Sequence, residues 1–364
     1  MPSDQFGVVS ADSHVNPPPG MWVDYLPVEL RDRAPVVERT DEGDFEVFEG
    51  RRRPLVMLTA AAGTRPEDFT ATVRRFDEVR PGGFEPGPRI EDQDLDGIDA
   101  EILYGTLGAP LPSAEAQLRR AGYRAYNRWL ADFCSYAPAR LLGMAYIPCA
   151  DPADAIAEVR DAAAHGLRGA VLPHDPETGT WADEAWDPLW RVLVELGWPA
   201  AFHVGGSTFP AIDRSTPAGF MNSNVATKLQ MPLTLGALVM SGVLVRHPDL
   251  LLISVEGQIG WIPFWKYYLD HAYEKHRWHQ NLHFDERPSF YIERQVYYTF
   301  MEDPPGIDAR HACGVDRIMW ANDYPHSETT WPHSEKIIGE IFEHVPPEEV
   351  RRIVRDNCVE LYRL

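Results

Sequence analysis

The stretch Arg317-Ile-Met-Trp-Ala-Asn-Asp323 is a short apolar run that ends in a carboxylate, and Tyr-Pro-His326 follows directly. Three other apolar runs end in polar side chains of the kind that bind metals: Phe6–Ser10 before Asp12 and His14, Pro199–Phe202 before His203, and Leu250–Val255 before Glu256. In a (β/α)8 barrel the carboxyl ends of all strands meet at one face. The four strand ends therefore predict a barrel with a metal at its C-terminal mouth.

The remaining apolar runs fit the same architecture. Eight short runs are predicted as strands, near residues 7–11, 100–104, 142–147, 169–172, 199–203, 250–255, 296–300 and 317–321. Helical spacing of apolar residues is found between several of them, over Leu118–Tyr136, Pro152–His165, Trp186–Leu196 and Met231–Arg246. Alternation of strands and helices predicts an α/β fold with a parallel sheet, here the (β/α)8 TIM barrel.

One region interrupts this alternation. Residues 32–90 contain the basic cluster Arg51, Arg52 and Arg53 and a Pro/Gly-rich run over 81–88. We interpret this region as an insertion after the first strand that forms a small cap or a partner arm. The whole chain, 1–364, is otherwise predicted to be a single domain, because barrels often reach this size.

Composition excludes several classes of protein. The net charge of −21 argues against binding to nucleic acid or to an anionic membrane surface. The four cysteines include no Cys-x-x-Cys pair, which argues against a disulfide framework and a thiolate metal site. The start Met1-Pro-Ser-Asp does not resemble a signal peptide, and no apolar run reaches about 18 residues. We therefore expect a cytoplasmic protein.

Four motifs carry a resemblance to a known family: Asp-Ser-His-Val-Asn-Pro-Pro (12–18), Phe-His-Val-Gly (202–205), Val-Glu-Gly-Gln-Ile-Gly-Trp-Ile-Pro (255–263) and Trp-Ala-Asn-Asp-Tyr-Pro-His (320–326). Together they resemble the amidohydrolase-2 branch of the amidohydrolase superfamily, in the order that the family shows. The resemblance implies a (β/α)8 barrel and a metal held by Asp12, His14, His203 and Asp323. Family members include decarboxylases and hydrolases that activate a metal-bound water.

The sequence departs from the family pattern at three positions. Asp12 stands where the first strand commonly has a histidine, and Glu256 stands where a catalytic histidine usually follows the sixth strand. His174 ends the segment in which other members of the superfamily have a bridging lysine. Glu302 adds another carboxylate after the seventh predicted strand. Such a set of histidines and carboxylates with open positions suits an iron site that activates O2.

The motifs also resemble the barrel-fold non-haem diiron monooxygenases of platensimycin and platencin biosynthesis. That resemblance implies two iron ions, with zinc or manganese as alternatives, and hydroxylation of an acyl-CoA-linked diterpenoid. Such a reaction needs O2 and an external electron donor or reductase. We expect Glu256 as a further metal ligand, Glu256, Glu302 and His326 as catalytic residues, and Arg51, Arg52, Arg53 and His174 as substrate-binding residues.

Two other functions are compatible with the sequence. A mononuclear metal-dependent hydrolase or decarboxylase would use the same ligands, with one metal acting as a Lewis acid. A metal-free binding protein on an inherited barrel would not need the complete ligand set. A homo-oligomer is compatible with each of these functions.

Overall fold

The computed structural model describes residues 7–56, 58–69, 75–105, 110–205 and 216–364. Its strands, in chain order, are β1 (Val9–Val15), β2 (Val36–Thr40), β3 (Gly43–Phe48), β4 (Arg51–Pro54), β5 (Ala100–Gly105), β6 (Leu141–Gly143), β7 (Ala145–Tyr146), β8 (Ala170–Leu172), β9 (Ala200–His203), β10 (Leu252–Val255), β11 (Val296–Phe300) and β12 (Ile318–Trp320). All strands except β2, β3 and β4 pair in parallel.

The parallel strands form a barrel with two seams. One sheet has the order β1-β5-β6, and the other runs from β7 through β8, β9, β10 and β11 to β12. Met144 joins β6 to β7, and its N–H donates to the carbonyl of Leu103 over 2.9 Å. At the other seam, the N–H of Asp323 donates to the carbonyl of Asp12 over 3.0 Å. The predicted TIM barrel is confirmed, with β6 and β7 as one interrupted strand.

Helices surround the barrel, and each of the four predicted helical segments is helical in the structure. In chain order they are α1 (Met21–Tyr25), α2 (Pro86–Asp96), α3 (Ala116–Ser135), α4 (Pro152–Ala164), α5 (Asp187–Leu196), α6 (Pro217–Lys228), α7 (Gln230–Met240), α8 (Val243–Arg246), α9 (Ile262–His276), α10 (Pro288–Gln295), α11 (Pro304–Asp308), α12 (Arg310–Cys313), α13 (Ser334–Ile341), α14 (Pro347–Arg351) and α15 (Asn357–Tyr362). The helix predicted over Met231–Arg246 is divided into α7 and α8, because Gly242 adopts a left-handed φ of 79°.

The interior of the barrel is a compact apolar core. Val9, Ala100, Ile253 and Met319 are each fully buried there, as expected for parallel strands covered by helices. The helix α15 packs against the same core through Tyr362, whose hydroxyl lies 3.4 Å from that of Tyr104. In the described part of the chain, no helix is both long and apolar enough to cross a membrane. The cytoplasmic location stays a prediction.

The insertion after β1 forms a small antiparallel sheet of β2, β3 and β4. Its following segment contacts the barrel mouth directly. The N–H groups of Ala61 and Ala62 donate to the carbonyl of Pro325 over 2.9 and 3.0 Å. The N–H of Asn16, which follows β1, donates to the carbonyl of Gly83 over 2.8 Å. The insertion therefore lies against the loop after β12, where the sequence predicts part of the site.

Candidate metal centre

Six side chains at the carboxyl ends of the strands meet in two overlapping clusters. Within each cluster the potential ligand atoms lie within 4.8 Å of one another. One cluster contains Asp12, His14, His203 and Glu256, and the other contains His14, Glu256, Asp323 and His326. The structure thus brings together every residue that the sequence predicts as a metal ligand, and it adds His326 to the same group.

Backbone carbonyls orient the two central imidazoles. Nδ1 of His14 lies 3.0 Å from the carbonyl of Gly105, and Nδ1 of His203 lies 2.9 Å from the carbonyl of Val204. Because carbonyls only accept hydrogen bonds, each Nδ1 carries the proton and each Nε2 presents a lone pair to the site. These two Nε2 atoms lie 3.3 Å apart. At this distance the two Nε2 atoms must share either a proton or a metal cation.

The spacing of the donor atoms matches a single small metal ion. Ligands about 2.1 Å from one ion at tetrahedral angles lie roughly 3.4 Å apart. Oδ1 of Asp12 lies 3.5 Å from Nε2 of His14 and 3.6 Å from Nε2 of His203. Oδ1 of Asp323 lies 3.1 Å from Nε2 of His14. Asp12, His14 and His203 therefore have the separation that one tetrahedral ion requires, and Asp323 lies beside them on the side of His14.

The buried carboxylates have unused bonding capacity. Among the described residues, Oδ1 of Asp12 and Oδ2 of Asp323 accept no hydrogen bond, although each side chain is only 1% exposed. A buried, unpaired carboxylate is costly unless a cation compensates its charge. Glu256 and Asp323 have positive φ angles of 59° and 52°, a strained conformation for residues other than glycine. These features together indicate a metal-binding site.

The electrostatics of the metal-free site are dominated by its acids. Burial alone would lower the pKa of His203, but the carboxylates of Asp12 and Glu256 outweigh burial and raise it to about 9. Burial acts in the same direction on His326, whose pKa is nevertheless raised by Asp323. The pKa of His14 is lowered by burial and by the nearby His326. Metal binding must displace the protons held on these imidazoles.

The two acids of the second cluster differ in their protonation. Burial would raise the pKa of Asp323, but the imidazoles of His326 and His14 hold it well below its usual range. Burial raises the pKa of Glu256, and the ammonium of Lys228 only partly opposes this effect. Asp323 is therefore the more strongly anionic ligand, and Glu256 is the acid that titrates more easily.

Lys228 is a residue of the site that the sequence analysis did not identify. It lies at the end of α6, and its Nζ is 2.5 Å from Oε1 of Glu256 and 3.4 Å from Oε2 of Glu328. Its side chain is only 18% exposed. The sequence holds a usable signal, since Lys228 is the only charged residue between Pro217 and Leu235.

A cavity of about 240 Å³ adjoins the metal ligands on the side of His203. Its lining is mainly aromatic and apolar and includes Tyr123, Tyr146, Cys149 and Leu172. Drug-sized ligands occupy pockets of about 300–1,000 Å³, so the cavity fits a smaller molecule. Its position and size suit the ring of a small organic substrate.

The predicted substrate residue His174 lines this cavity but is fully engaged by protein groups. Its Nδ1 lies 2.8 Å from Oγ1 of Thr234, and its Nε2 lies 2.9 Å from the carbonyl of His203. The same Nε2 lies 3.1 Å from the carbonyl of Gly205. His174 therefore fixes the backbone that carries His203, and its role in binding substrate stays a prediction.

Glu302 and the basic cluster of β4, both predicted to belong to the site, lie away from the two donor clusters in the structure. Glu302 is exposed and belongs to neither cluster. The basic cluster is exposed along β4, where Arg52 lies 3.0 Å from Glu38 and over the ring of Phe45, while Arg53 pairs with Glu46 over 2.5 Å. Arg52 and Arg53 therefore pair with acids of the small sheet, and none of the three arginines lines the cavity beside His203.

Solved structures of other proteins share this fold. An amidohydrolase from Mycobacterium avium subsp. paratuberculosis K-10 has a TM-score of 0.81 and 21% identity, covering 99% of this chain and 100% of its own. The 5-carboxyvanillate decarboxylase from Novosphingobium aromaticivorans, solved with manganese and 4-hydroxy-3-methoxy-5-nitrobenzoic acid, has a TM-score of 0.74 and 20% identity, covering 99% and 97%. The 2,6-dihydroxybenzoate decarboxylase from Rhizobium has a TM-score of 0.67 and 18% identity, covering 98% and 99%. No curated protein matches the sequence.

These findings correct the predicted function. The prediction of an oxidoreductase, a diiron monooxygenase of diterpenoid biosynthesis, is wrong, because the similar enzymes are decarboxylases of small aromatic acids. The predicted partners, an acyl-CoA, O2 and a reductase, are wrong for the same reason. The substrate-binding role of Arg51, Arg52 and Arg53 stays a prediction.

The family assignment rests on nearly the whole chain. The family model for amidohydrolases matches residues 11–364, which include all six side chains of the two clusters. The barrel and the donor groups at its carboxyl-terminal mouth agree with that match. The chain belongs to the amidohydrolase family.

Proposed function

We propose that this protein is a metal-dependent decarboxylase of small aromatic carboxylic acids. The observation that carries the proposal is the set of three donors, Asp12, His14 and His203, separated by 3.3–3.6 Å, with Asp323 3.1 Å from His14, beside a cavity large enough for one ring. Structural similarity to 5-carboxyvanillate and 2,6-dihydroxybenzoate decarboxylases supports the substrate class. The proposed catalytic unit is a single domain, with the insertion 32–90 flanking the mouth as a cap.

One divalent ion is proposed, with manganese as the first candidate because the Novosphingobium enzyme was solved with it. Asp12, His14, His203 and Asp323 would hold the ion, and Glu256 stands close enough to serve as a further ligand. Hard oxygen donors combined with imidazole suit manganese or zinc. When bound, the ion supplies Lewis-acid stabilisation of negative charge on the substrate.

His326 is the proposed proton donor. Its Nδ1 lies 3.0 Å from Oδ1 of Asp323, so that Nδ1–H points to the carboxylate and Nε2 points away from it. This Nε2 is buried and has no hydrogen-bond partner in the part of the chain that the structure describes. The ring is held in place by stacking on His14, with centroids 3.7 Å apart. Nε2 can therefore deliver a proton to the ring carbon that carries the carboxylate, after which the carbon–carbon bond breaks and CO2 leaves.

The cavity beside His203 would hold the aromatic ring. Tyr123 and Tyr146 offer ring surfaces, and Leu172 and Val204 offer apolar contact. These groups exclude water from the reacting carbon, which favours protonation by a positioned acid over exchange with solvent. The same enclosure limits the substrate to one ring with small substituents.

The proposal is tested by incubating manganese-loaded protein with 2,6-dihydroxybenzoate and with 5-carboxyvanillate and measuring CO2 release. We expect release from at least one acid, loss of release after chelation, and loss in His326→Gln. His165→Gln is the matched control, because His165 is 42% exposed and belongs to neither cluster. Hydrolysis of an ester or amide of the same ring without CO2 release from the acid would instead assign a hydrolase.

A further inference from the structure

Lys228 occupies a defined position between the interior of the site and its rim. Its Nζ contacts Glu256 at 2.5 Å and Glu328 at 3.4 Å. Glu256 is 12% exposed and Glu328 is 45% exposed, so the ammonium links an inner carboxylate to an outer one. Glu256 in turn lies 3.7 Å from Nε2 of His203, the residue shared by the ligand cluster and the cavity. Lys228 is therefore one side chain away from the substrate cavity.

The charges around the mouth create a problem for an acidic substrate. Four carboxylates stand there, those of Asp12, Asp323, Glu256 and Glu328. In the ranges that the structure describes, Lys228 is the only lysine or arginine that pairs with any of them. A divalent ion and Lys228 together supply three positive charges against four negative ones. Without Lys228 the excess would grow from one negative charge to two in front of the incoming acid, and like charges in a partly buried site repel strongly.

We propose that Lys228 determines the specificity of this site for anionic acids. This proposal rests on the proposed decarboxylase function. Its ammonium offsets the charge of Glu256, so that a carboxylate can bind beside His203. Lys228 acts through Glu256 and is a positioning residue, not a group that reacts. The charge must come from this position, because Glu256 has no other ion-pair partner outside the imidazoles in the described residues.

The test compares an acid with its neutral isostere. Manganese-loaded protein is titrated by calorimetry with 2,6-dihydroxybenzoate and with 2,6-dihydroxybenzamide. Lys228→Met removes the charge, and Lys228→Arg keeps it. Lys266→Met is the matched control, since Lys266 also pairs with a glutamate, Glu293 at 2.8 Å, but belongs to neither ligand cluster. Manganese content is measured for each variant, and excess manganese keeps the site loaded.

We expect Lys228→Met to weaken binding of the acid by about tenfold or more, because the carboxylate of the acid would then face the uncompensated charge of Glu256. Binding of the amide should change by less than about threefold, corresponding to less than 0.7 kcal/mol at 25 °C. Lys228→Arg should restore most of the affinity for the acid, and Lys266→Met should behave as the wild type.

Equal weakening for the acid and the amide in Lys228→Met would overturn the proposal, because it indicates a general structural defect. A wild-type protein that binds both ligands equally, or neither, would overturn it too. The outcome is separable from the proposed activity, since binding requires no turnover. If the acid binds selectively through Lys228 but no CO2 is released, the decarboxylase function is refuted and the specificity of the site for acids is retained.

Discussion

The protonation of His203 makes a quantitative prediction for the metal-free protein. Asp12 and Glu256 raise its pKa from the ordinary 6.5 to about 9 despite burial. A group with a raised pKa in the folded state stabilises the fold fully below pH 6.5, and this stabilisation is lost as pH rises through 9. At 1.36 kcal/mol per pH unit, the difference corresponds to about 3 kcal/mol. His203 is 9% exposed, so solvent screens the interaction little.

The assay is urea unfolding of EDTA-treated protein at pH 6.5 and at pH 9.5, followed by tryptophan fluorescence. Between these two pH values, we expect the free energy of unfolding of the wild type to fall by about 3 kcal/mol more than that of His203→Asn. The reason is that the variant lacks the titrating group. Saturating manganese should abolish the difference, because a metal-bound imidazole carries no proton at Nε2. Equal pH dependence of the free energy of unfolding in the wild type and the variant would refute the reasoning. A wild type that gains stability relative to the variant between pH 6.5 and pH 9.5 would also refute it.

The remaining predictions concern the metal and its support. His203→Ala and Asp323→Ala should each lose most of the bound metal by elemental analysis while keeping a native circular dichroism spectrum, and full metal content would exclude that residue as a ligand. Glu256→Gln should lower metal affinity, whereas unchanged affinity with lost turnover would make Glu256 a general base. Manganese affinity should increase with pH up to about 9, roughly tenfold per unit for each proton released, and a flat profile in calorimetry would contradict this. The buried Nε of Arg89 lies 2.6 Å from Oε2 of the buried Glu101. Arg89→Met should cost about 3–5 kcal/mol in urea unfolding, because the charge of Glu101 would stay buried without a balancing cation, and a loss below about 1 kcal/mol would contradict this.

The barrel and its ligands were predictable because both depend on local patterns. Short apolar runs separated by helical spacing specify parallel strands, and a polar residue at the end of such a run lies at the mouth by geometry alone. Asp12 and His14 are two residues apart on β1, so both side chains point to the same face. The same rule located His203 at the end of β9 and Asp323 after β12.

The parts that could not be predicted depend on the course of loops. Lys228 meets Glu256 across 28 residues, and no periodic pattern encodes that contact. Glu302 follows β11 but is exposed, because the strand ends at Phe300 and the chain turns outward after the buried Met301. The partners of Arg52 and Arg53 are Glu38 and Glu46 on other strands of the same small sheet, and the density of charge in the sequence does not encode this pairing.

The function was mispredicted because ligand types alone fit two chemistries. Histidines and carboxylates with open positions suit an iron site that activates O2, and they suit a Lewis-acid site equally well. The deciding information is the volume beside the ligands and the spacing of the donors around one ion, and both are properties of the folded chain. A sequence motif specifies which atoms are available but not how much space they enclose.

The most direct test of the account is the fate of the carboxyl carbon. Manganese-loaded protein is incubated in D2O with 2,6-dihydroxybenzoate labelled with 13C in its carboxyl group, under air and under argon, and followed by nuclear magnetic resonance. The account predicts one labelled CO2 per molecule consumed, one deuterium on the ring carbon that lost it, and equal rates in both atmospheres. Product that keeps its labelled carboxyl group, or that forms only under air, would contradict the account.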